Sequence, residues 1–394
     1  MPRFIASGSA LVATAILATG STLAVEVQGD GGGDRRWSLQ GGVYEGYNSN
    51  VDTTNSDPIG SWYTELAAGA QYRGGNSRTT VEAEIGAGLS FYYDAPDGSS
   101  FYPNIDAGLE VEHSATSRLD LRLSSTTAYL SQPSYNIPGA SVNQGDYWVS
   151  STTVEATFQW KPKVSLVTAW QVDAYLYADG YTQDSLGRIE QTGSQQVLFL
   201  WKPTTALVGE YRINPRTFLY NPEMDNIGQF FLLGADHTFT PKMEGYFRAG
   251  VEQRWLNEPD GGQGTYLGPY GEIGFTGNLS KTKLDFFGRY GTQSSGIIGV
   301  GESDTLMFGM AAERKITSRV SFSAFVNYQN NQFNQQNTGP NFSDNVLDAG
   351  CGLSYRLSRR VALQGGYRYS TLLSDESYRE YNRTILFLGT EVNF

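Results

Sequence analysis

The sequence predicts an all-β fold: a single transmembrane, antiparallel, up-and-down β-barrel of about 18 strands, with 16 as the alternative. Three observations predict it: a repeat of about 40 residues, long segments in which apolar and polar residues alternate, and an aromatic carboxy-terminus. All three fit a closed sheet in a bilayer, where every strand is paired and each shows lipid only on alternate residues.

Short turns recur along the chain at intervals of 37 to 45 residues. Their centres lie near Asn76, Ser117, Pro162, Pro203, Pro241, Ser280, Thr317 and Ser358. Two runs of roughly 12 to 14 residues fill each interval, whereas a β-propeller blade needs four strands of about five or six residues. Runs of the observed length can cross a bilayer at a tilt. The repeat therefore favours a membrane barrel over a propeller.

The alternation is explicit between residues 243 and 252, where the odd positions are apolar and the even positions include Glu244, Arg248 and Glu252. A period of two gives a strand one apolar and one polar face. In a barrel the apolar face meets lipid and the polar face lines the lumen.

The amino-terminal segment predicts export from the cytoplasm. Residues 1–24 hold a single charge, Arg3, then an apolar run, then small residues up to Ala24, which is the pattern of a cleaved signal peptide. We interpret residues 25–36 as a short periplasmic lead and residues 37–394 as the barrel. We expect no further domain ahead of Trp37, and any plug is therefore expected to come from loops folded into the lumen.

The carboxy-terminus predicts barrel closure and assembly. Gly389, Val392 and Phe394 have the spacing of the carboxy-terminal signal of outer-membrane barrels, with Val392 in place of the usual aromatic residue. We expect the last strand to pair with the first, and the barrel-assembly machinery to recognise this signal.

Six of the seven tryptophans lie near predicted strand ends, as the aromatic belts of a membrane-spanning sheet do. They are Trp37, Trp160 and Trp201 beside the short turns and Trp62, Trp148 and Trp255 beside the long loops. Trp170 falls in mid-strand and fits neither belt.

Composition excludes several classes of function. A formal net charge of −12 argues against nucleic-acid binding, which needs a basic surface. The two histidines, His113 and His237, are predicted to point outward, away from any shared polar pocket. The single cysteine, Cys351, is expected to be an outward wall residue. We therefore predict no enzyme activity, no metal site and no cofactor.

The predicted inward face is rich in ionisable residues. The candidate pore-lining residues are Arg122, Arg212, Arg248, Glu272, Arg289, Asp348 and Arg368. Counting from the turns places Glu272 opposite both Arg248 and Arg289, and Asp348 opposite Arg368. We expect an Arg248–Glu272–Arg289 ladder and an Asp348–Arg368 pair, with either a structural or a selectivity role. Since acids exceed bases on this face, we also expect a mild preference for cations.

Two stretches resemble a known family. Residues 41–51, Gly-Gly-Val-Tyr-Glu-Gly-Tyr-Asn-Ser-Asn-Val, are similar to the opening strand of the putative β-barrel porin family associated with exopolysaccharide export. The stretch from Tyr369 to Thr384, with the terminal strand, resembles that family's last hairpin. The resemblance implies an outer-membrane pore with no catalytic residues and, in some members, a periplasmic polysaccharide-export protein as partner. The opening also resembles the barrel of surface-lipoprotein assembly factors, which carry a helical repeat domain ahead of the barrel.

Three functions remain to be weighed. The leading hypothesis is a porin-like channel for hydrophilic solutes in the outer membrane of a Gram-negative bacterium, with the pore of an exopolysaccharide export system as its narrower form. The alternative is a closed structural or binding barrel that presents adhesin or receptor loops. An outer-membrane hydrolase is disfavoured by the placement of the histidines. In each case the surroundings would be outer-membrane lipids and lipopolysaccharide.

Overall fold

The computed structural model describes residues 36–94, 100–131, 145–257, 263–297, 300, 302–333 and 341–394. These residues form 18 β-strands, one short α-helix and two 3-10 turns. The predicted signal peptide, residues 1–24, and all of the predicted lead except Arg36 lie outside the described residues.

The first nine strands are β1 (Trp37–Asn48), β2 (Ser61–Gly75), β3 (Thr79–Tyr92), β4 (Phe101–Ser114), β5 (Leu119–Leu130), β6 (Tyr147–Lys161), β7 (Val164–Tyr177), β8 (Arg188–Lys202) and β9 (Thr205–Phe218). The other nine are β10 (Asn226–Thr240), β11 (Met243–Asn257), β12 (Gln263–Leu279), β13 (Thr282–Ser294), β14 (Glu302–Lys315), β15 (Val320–Phe333), β16 (Phe342–Arg356), β17 (Val361–Ser374) and β18 (Tyr381–Asn393). Helix α1 (Gly180–Leu186) precedes β8, and the 3-10 turns are Pro222–Met224 and Ser377–Arg379.

The strands form one closed antiparallel sheet. Each strand pairs with the next along the chain, and β18 pairs with β1 from Asn393 opposite Gln40 to Ile385 opposite Asn48. Closure leaves no free sheet edge, as a sheet inside hydrocarbon requires. The predicted barrel is confirmed, with 18 strands rather than 16.

The predicted short turns are stabilised by their own side chains. Asn76 Oδ1 accepts hydrogen bonds from the backbone N–H groups of Arg78 and Thr79 at 2.8 and 3.0 Å. Thr317 Oγ1 accepts in the same way from Arg319 and Val320, at 3.1 and 3.0 Å. Asn and Thr favour turns because their oxygens can replace a backbone acceptor in this manner. We call this end of the barrel the turn end and the opposite end, with the longer connections, the loop end.

The two faces of the wall differ as the alternation predicts. On β10 the side chains of Phe231 and Leu233 point outward and are exposed, Leu233 to 74 %, while Asn226 and Leu232 point inward and are buried. Exposed apolar side chains recur on alternate residues of the other strands. A continuous apolar surface of this size is unfavourable in water and favourable against lipid chains. The wall is thus built to stand in a membrane.

The repeated tripeptide Trp-Lys-Pro makes the same local structure twice. A register shift interrupts the pairing of β6 at Trp160 and that of β8 at Trp201, next to the short turns that follow. Both rings are exposed, and the ammonium groups of Lys161 and Lys202 lie over them at 4.9 and 4.7 Å from the ring centroids. Each Trp has the outward parity of its strand, and the irregular pairing that follows places the next residue, a lysine, over its ring.

Three loops at the loop end fold into the lumen, and each inserts one apolar side chain into a buried cluster on the inner wall. Val51, from the loop after β1, packs among Tyr44, Tyr63, Tyr92 and Phe387. Leu186 of α1 packs among Ala128, Leu130, Tyr147 and Tyr177. Val300, between β13 and β14, packs against Phe333 and Phe342. Inward-folded loops therefore fill part of the lumen, as expected.

Candidate pore lining and constriction

The structure places all seven candidate pore-lining residues on the inner face of the wall. On each strand they alternate with the exposed apolar side chains of the outer face. Arg212, Arg248 and Glu272 belong to one connected set of ion pairs on β9–β12, and Arg289 on β13 is hydrogen-bonded to Gln293. Arg122 forms ion pairs on β4–β5, and Asp348 and Arg368 form one on β16–β17. Whether the seven residues line a conducting path stays a prediction.

The predicted Arg248–Glu272–Arg289 ladder is correct in register and wrong in its ion pairs. Glu272 lies opposite Arg248 on one side and Arg289 on the other. Its carboxylate is instead held by Arg212, whose Nη1 and Nη2 donate to its two oxygens at 3.1 and 2.7 Å. Tyr270 donates a further hydrogen bond at 2.7 Å. Arg212 on β9 makes a bidentate contact that satisfies both carboxylate oxygens at once. Glu272 therefore pairs with Arg212 and not with Arg248 or Arg289.

The other two members of the predicted ladder find different partners. Arg248 forms ion pairs with Asp236 at 2.7 Å and with Glu210 at 3.5 Å. Arg289 donates from Nη2 to Gln293 at 2.8 Å. Arginine side chains are long enough to leave their register partner for a better acceptor on a neighbouring strand. Counting residues along the chain therefore predicts neighbours better than it predicts pairs.

The predicted Asp348–Arg368 pair forms, although the predicted register is wrong by two residues. Arg368 lies opposite Gly350, and Asp348 lies opposite Ser370. The turn between Arg356 and Val361 is centred one residue later than predicted, which shifts the pairing by two. Arg368 reaches Asp348 diagonally, with Nε and Nη2 donating to its two oxygens at 2.8 and 3.0 Å. The hydroxyl of Ser370 donates to the same carboxylate at 2.8 Å.

The turn end of β3 and β4 carries a row of half-exposed acids on the inner face. Glu82 lies directly opposite Glu110, and Glu112 follows two residues further on. Arg122 forms ion pairs with Glu110 and, at 3.9 Å, with Glu112, while Arg73 contacts Glu82 at 3.3 Å. Three acids here share two arginines, so the patch keeps a negative field toward the lumen.

Strands β12 and β13 separate before either has ended. Their pairing runs from Leu279 and Thr282 only as far as Gly271 and Tyr290. Beyond that point β12 remains paired with β11, and β13 remains paired with β14. The loop ends of β13 and β14 have therefore parted from β12, while β14 stays paired with β15 as far as Ser303 opposite Phe333. We call this element, namely the described residues 291–297, Val300 and 302–305, the inner hairpin.

Glu302 shows to which side the inner hairpin has turned. Along β14 it shares its parity with Leu306 and Phe308, which face outward. Its carboxylate nevertheless accepts hydrogen bonds from Asn226 Nδ2 at 2.7 Å and from Arg216 Nη1 at 2.8 and 3.0 Å. Asn226 and Arg216 lie on the inner face of β10 and β9. The inner hairpin therefore lies inside the barrel. There, the side of β14 that has outward parity faces the inner side of β9 and β10.

A buried ion-pair network surrounds Glu302. Arg254, fully buried, donates to Glu252, which is also fully buried, and to Asn226 Oδ1 at 2.6 Å; its Nε lies 3.9 Å from Glu302. Arg216 contacts Glu190 as well, at 3.2 Å. Isolated charges would be costly to bury here, and their mutual pairing offsets that cost.

The sequence analysis did not identify Glu302, which lies at the centre of this ion-pair network. Its position on β14 has outward parity, so the alternation assigns it to the lipid face. Glu302 is the first residue of β14, at the loop end, where an outward acid costs little, so no local signal marks the inward turn.

The six tryptophans predicted to form belts lie near strand ends. Trp37 packs against Tyr72 with ring centroids 4.9 Å apart, and Trp62 packs against Tyr47 at 5.5 Å. Trp148 is exposed at the loop end and Trp255 is half-buried there, while Trp160 and Trp201 are exposed at the turn end. This is the arrangement that interfacial belts require, and the contact of these rings with lipid head groups stays a prediction.

The carboxy-terminal residues lie at the seam between β18 and β1. Phe394 exchanges backbone hydrogen bonds with Leu39, with its N–H donating at 2.8 Å and its carbonyl accepting at 3.5 Å. Its ring faces outward and is exposed, and Val392 has the same parity. Gly389 points inward beneath the ring of Tyr44. The assembly role of these residues stays a prediction.

A Phe394→Ala substitution separates that assembly role from stability. We expect less folded barrel in cells, because the exposed ring is lost from the recognition signal, but normal refolding of purified chain into detergent, because both backbone hydrogen bonds remain. Heat-modifiable migration on a gel measures both. Phe308→Ala, which removes another exposed outward ring, is the control. An equal loss in cells for both variants would contradict a specific signal at Phe394.

The histidines and the cysteine have structural surroundings. Nδ1 of His113 lies 2.9 Å from the hydroxyl of Thr79, and Nδ1 of His237 lies 2.9 Å from that of Thr205, each across a strand pair on the outer face. Cys351 is a free, half-buried wall residue. Among the described residues, no group of three or more His, Cys, Asp and Glu side chains is placed to hold a metal. No described helix is both long enough and apolar enough to cross a membrane.

A closed sheet with an apolar outside and an ion-paired inside defines the class of protein, a transmembrane β-barrel. The chain belongs to the family described as "Putative beta-barrel porin 2", whose model matches residues 39–394. The match confirms the predicted porin family. No curated protein matches the chain.

Several solved structures are similar to this barrel at low sequence identity. The outer-membrane protein OpdK from Pseudomonas aeruginosa has 7 % identity and a TM-score of 0.46, with 91 % of this chain and 99 % of that chain covered. OccAB4 from Acinetobacter baumannii has 12 % identity and a TM-score of 0.45, with coverage of 91 % and 99 %. A BenF-like porin from Pseudomonas fluorescens Pf-5 has 9 % identity and a TM-score of 0.46, with coverage of 92 % and 99 %.

Proposed function

We propose that this protein is an outer-membrane channel through which hydrophilic solutes pass. One observation carries the proposal: the wall of the closed 18-stranded barrel is apolar outside and charged inside. A barrel of this strand number encloses more space than its wall side chains can fill. Membership of a porin family supports both the activity and the location in the outer membrane.

Planar-bilayer recording tests the proposal directly. Purified barrel that migrates as a folded species on a gel is added to a lipid bilayer, and single-channel current is measured. Discrete current steps are expected. A correctly folded barrel that inserts and carries no current would contradict the channel function and favour the closed barrel described below.

The row of acids on β3 and β4 predicts a preference for cations. Replacing Glu82 and Glu112 together by Gln is expected to move the reversal potential in a salt gradient toward that of a non-selective pore. The reason is that acids along a water-filled lumen raise the local concentration of cations.

Glu45→Gln is the matched control for this experiment. Glu45 faces outward and accepts a hydrogen bond from Thr64 at 2.8 Å, so the same type of replacement, of one charge instead of two, falls outside the lumen. An anion-selective wild-type pore, or an equal shift in the control, would contradict the predicted role of the acids.

A narrower form of the proposal is the outer-membrane pore of an exopolysaccharide export system. It rests on the resemblance of residues 41–51 and of the last hairpin to porins associated with such export. The partner would then be a periplasmic polysaccharide-export protein, besides lipopolysaccharide, the surrounding lipids and the barrel-assembly machinery. Deleting the gene in its native host and measuring secreted polysaccharide tests this form. Unchanged secretion would leave a general channel.

A second candidate, a closed binding or structural barrel, is favoured by one specific observation. Three loops fold inward, and the inner hairpin contacts inner walls on both of its sides. If these elements seal the lumen permanently, the loop end could serve only as a receptor or adhesin surface. The current recording distinguishes this candidate from the channel.

A further inference from the structure

The three inward loops differ in how far they reach. Val51 packs on β18, β1, β2 and β3, the strands beside its own loop. Leu186 packs on β5, β6 and β7, which precede its own loop. Each of these two loops therefore stays close to the wall from which it comes.

The inner hairpin reaches much further. β9 and β14 are five strands apart in the sheet, about 24 Å along the wall at the usual strand spacing. Glu302 on β14 nevertheless contacts Arg216 on β9 at 2.8 Å. A contact over this separation requires the loop ends of β13 and β14 to part from β12 and to lie inside the wall of β9–β12, while β14 stays paired with β15.

Additional polar contacts hold the same side of the inner hairpin. The backbone N–H of Thr292 donates to Glu252 on β11 at 3.1 Å, and Tyr266 on β12 donates from its hydroxyl to Asp304 at 3.1 Å. Arg216 Nη2 donates to the carbonyl of Thr292 at 3.4 Å. These contacts join both strands of the inner hairpin to the inner wall of β9–β12.

The other side of the inner hairpin is held by apolar contacts. Val300 is buried against Phe333 and Phe342, and Ile297 packs against the same cluster. Phe333 and Phe342 are inward residues of β15 and β16. Buried hydroxyls add to this anchor, since Ser303 and Thr305 lie 2.9 Å apart and Thr305 donates to Asn331 at 3.0 Å. The inner hairpin thus has an ionic anchor on the inner face of β9–β11, five to three strands away, and an apolar anchor on β15 and β16, the strands that follow β14 in the sheet.

We propose that the inner hairpin is the element that limits conduction, and that Glu302 is the positioning residue that holds it across the lumen. This inference rests on the proposed channel function. Glu302 is suited to the role because its one carboxylate collects Arg216, Asn226 and Arg254 from three successive strands. No other described residue of the inner hairpin has an ion pair across the lumen.

Two substitutions test the two anchors of the inner hairpin, and each is designed to weaken one of them. Glu302→Gln removes the charge that Arg216 and Arg254 hold, and Val300→Asp places a charge in the apolar cluster. Both variants of the full barrel are expected to raise single-channel conductance by about two- to threefold, because the lumen of a barrel of this size is wide once unobstructed. Single-channel current reports only on folded, inserted barrels, so a loss of stability alone would not produce this rise.

Matched controls remove similar groups elsewhere on the inner face. Glu244→Gln neutralises a half-buried inward acid at the turn end of β11, and Leu186→Asp places a charge in the apolar cluster that holds α1. Both are expected to keep the wild-type conductance. A second readout is labelling of Ser295→Cys, a buried position in the inner hairpin, by a membrane-impermeant maleimide in a Cys351→Ser background. Slow labelling is expected with Glu302 present and fast labelling with Glu302→Gln.

The outcomes separate this inference from the channel function. Current in the wild type with the same conductance in Glu302→Gln and Val300→Asp would overturn the role of the inner hairpin and leave the channel. An equal rise in Leu186→Asp and Val300→Asp would also overturn it, because no loop would then be special. Folded, inserted barrels that carry no current in any variant would overturn the channel function itself. The two anchors are independent, so a variant that fails to fold at one leaves the test to the other.

Discussion

A Gly389→Val variant is expected to fail to close into a barrel. Gly389 lies in β18 directly opposite Tyr44 of β1, at the seam where the two ends of the chain meet. A Cβ at this position would lie 2.6 Å from the carbonyl oxygen of Val43 and would also meet the ring of Tyr44. The ring can rotate away, but the carbonyl belongs to the backbone of β1 and moves only if the seam opens.

The expected effect is large because the barrel closes only through the pairing of β18 with β1. Overpacking in a well-packed site costs about 1–3 kcal/mol, and more where the backbone must shift. Opening the seam would also expose two strand edges, which are unfavourable inside a bilayer. The fraction of chain that refolds into a heat-modifiable barrel measures the effect, and it should fall to a small part of the wild-type value.

Gly271→Val provides the matched control. Gly271 also lies within a strand paired on both sides, but a Cβ there would meet no atom nearer than the carbonyl oxygen of Arg248, at 3.9 Å. This variant is expected to refold almost as the wild type does. Equal refolding of Gly389→Val and wild type would show that the seam tolerates the side chain and would contradict the expectation.

Arg254→Met is expected to lower the free energy of unfolding by about 3–5 kcal/mol, the range for removing one partner of a buried ion pair. Arg254 and Glu252 are both fully buried, and Glu302 lies 3.9 Å away. Removing the guanidinium leaves Glu252 without its buried cation and deprives Asn226 of a donor at 2.6 Å. Urea unfolding in lipid vesicles, followed by tryptophan fluorescence, measures the change.

Two comparisons make the measurement specific. Arg73→Met breaks a half-exposed pair with Glu82, in which the arginine side chain is 47 % exposed, and is expected to cost at most about 1 kcal/mol. The double variant Arg254→Met with Glu252→Gln is expected to recover part of the loss, because it leaves no lone charge at that site. Equal losses in Arg254→Met and Arg73→Met would mean that water reaches the network.

The fold could be predicted almost completely from the sequence. The alternation between residues 243 and 252, the turn residues Asn76, Thr317 and Ser358, and the exposed Phe394 each report a local constraint of a closed sheet in lipid. Such constraints act on every residue pair or every turn. A single sequence therefore carries each constraint many times over, and counting the turns gives the strand number to within two.

The candidate site could be predicted only in part. The inward direction of Arg248, Glu272 and Arg289 follows from parity, and so does their register. Their ion pairs do not follow, because long side chains choose among acceptors on several strands and bidentate geometry decides the choice, as with Arg212 and Glu272. Asp348 and Arg368 show the converse. Their ion pair forms as predicted, although the two residues do not lie opposite each other as the predicted register requires.

By itself the sequence determined a barrel with lipid outside and charge inside, because the pleat of a strand converts a period of two directly into two faces. Only the tertiary structure decided which part of the wall turns inward. Glu302 has the parity of a lipid-facing residue, and nothing local marks it otherwise. Its partners Arg216 and Asn226 lie more than 70 residues away along the chain, at 86 and 76 positions. They meet Glu302 only because the barrel closes and β13 parts from β12, and a contact of that kind depends on the whole sheet rather than on any segment of it.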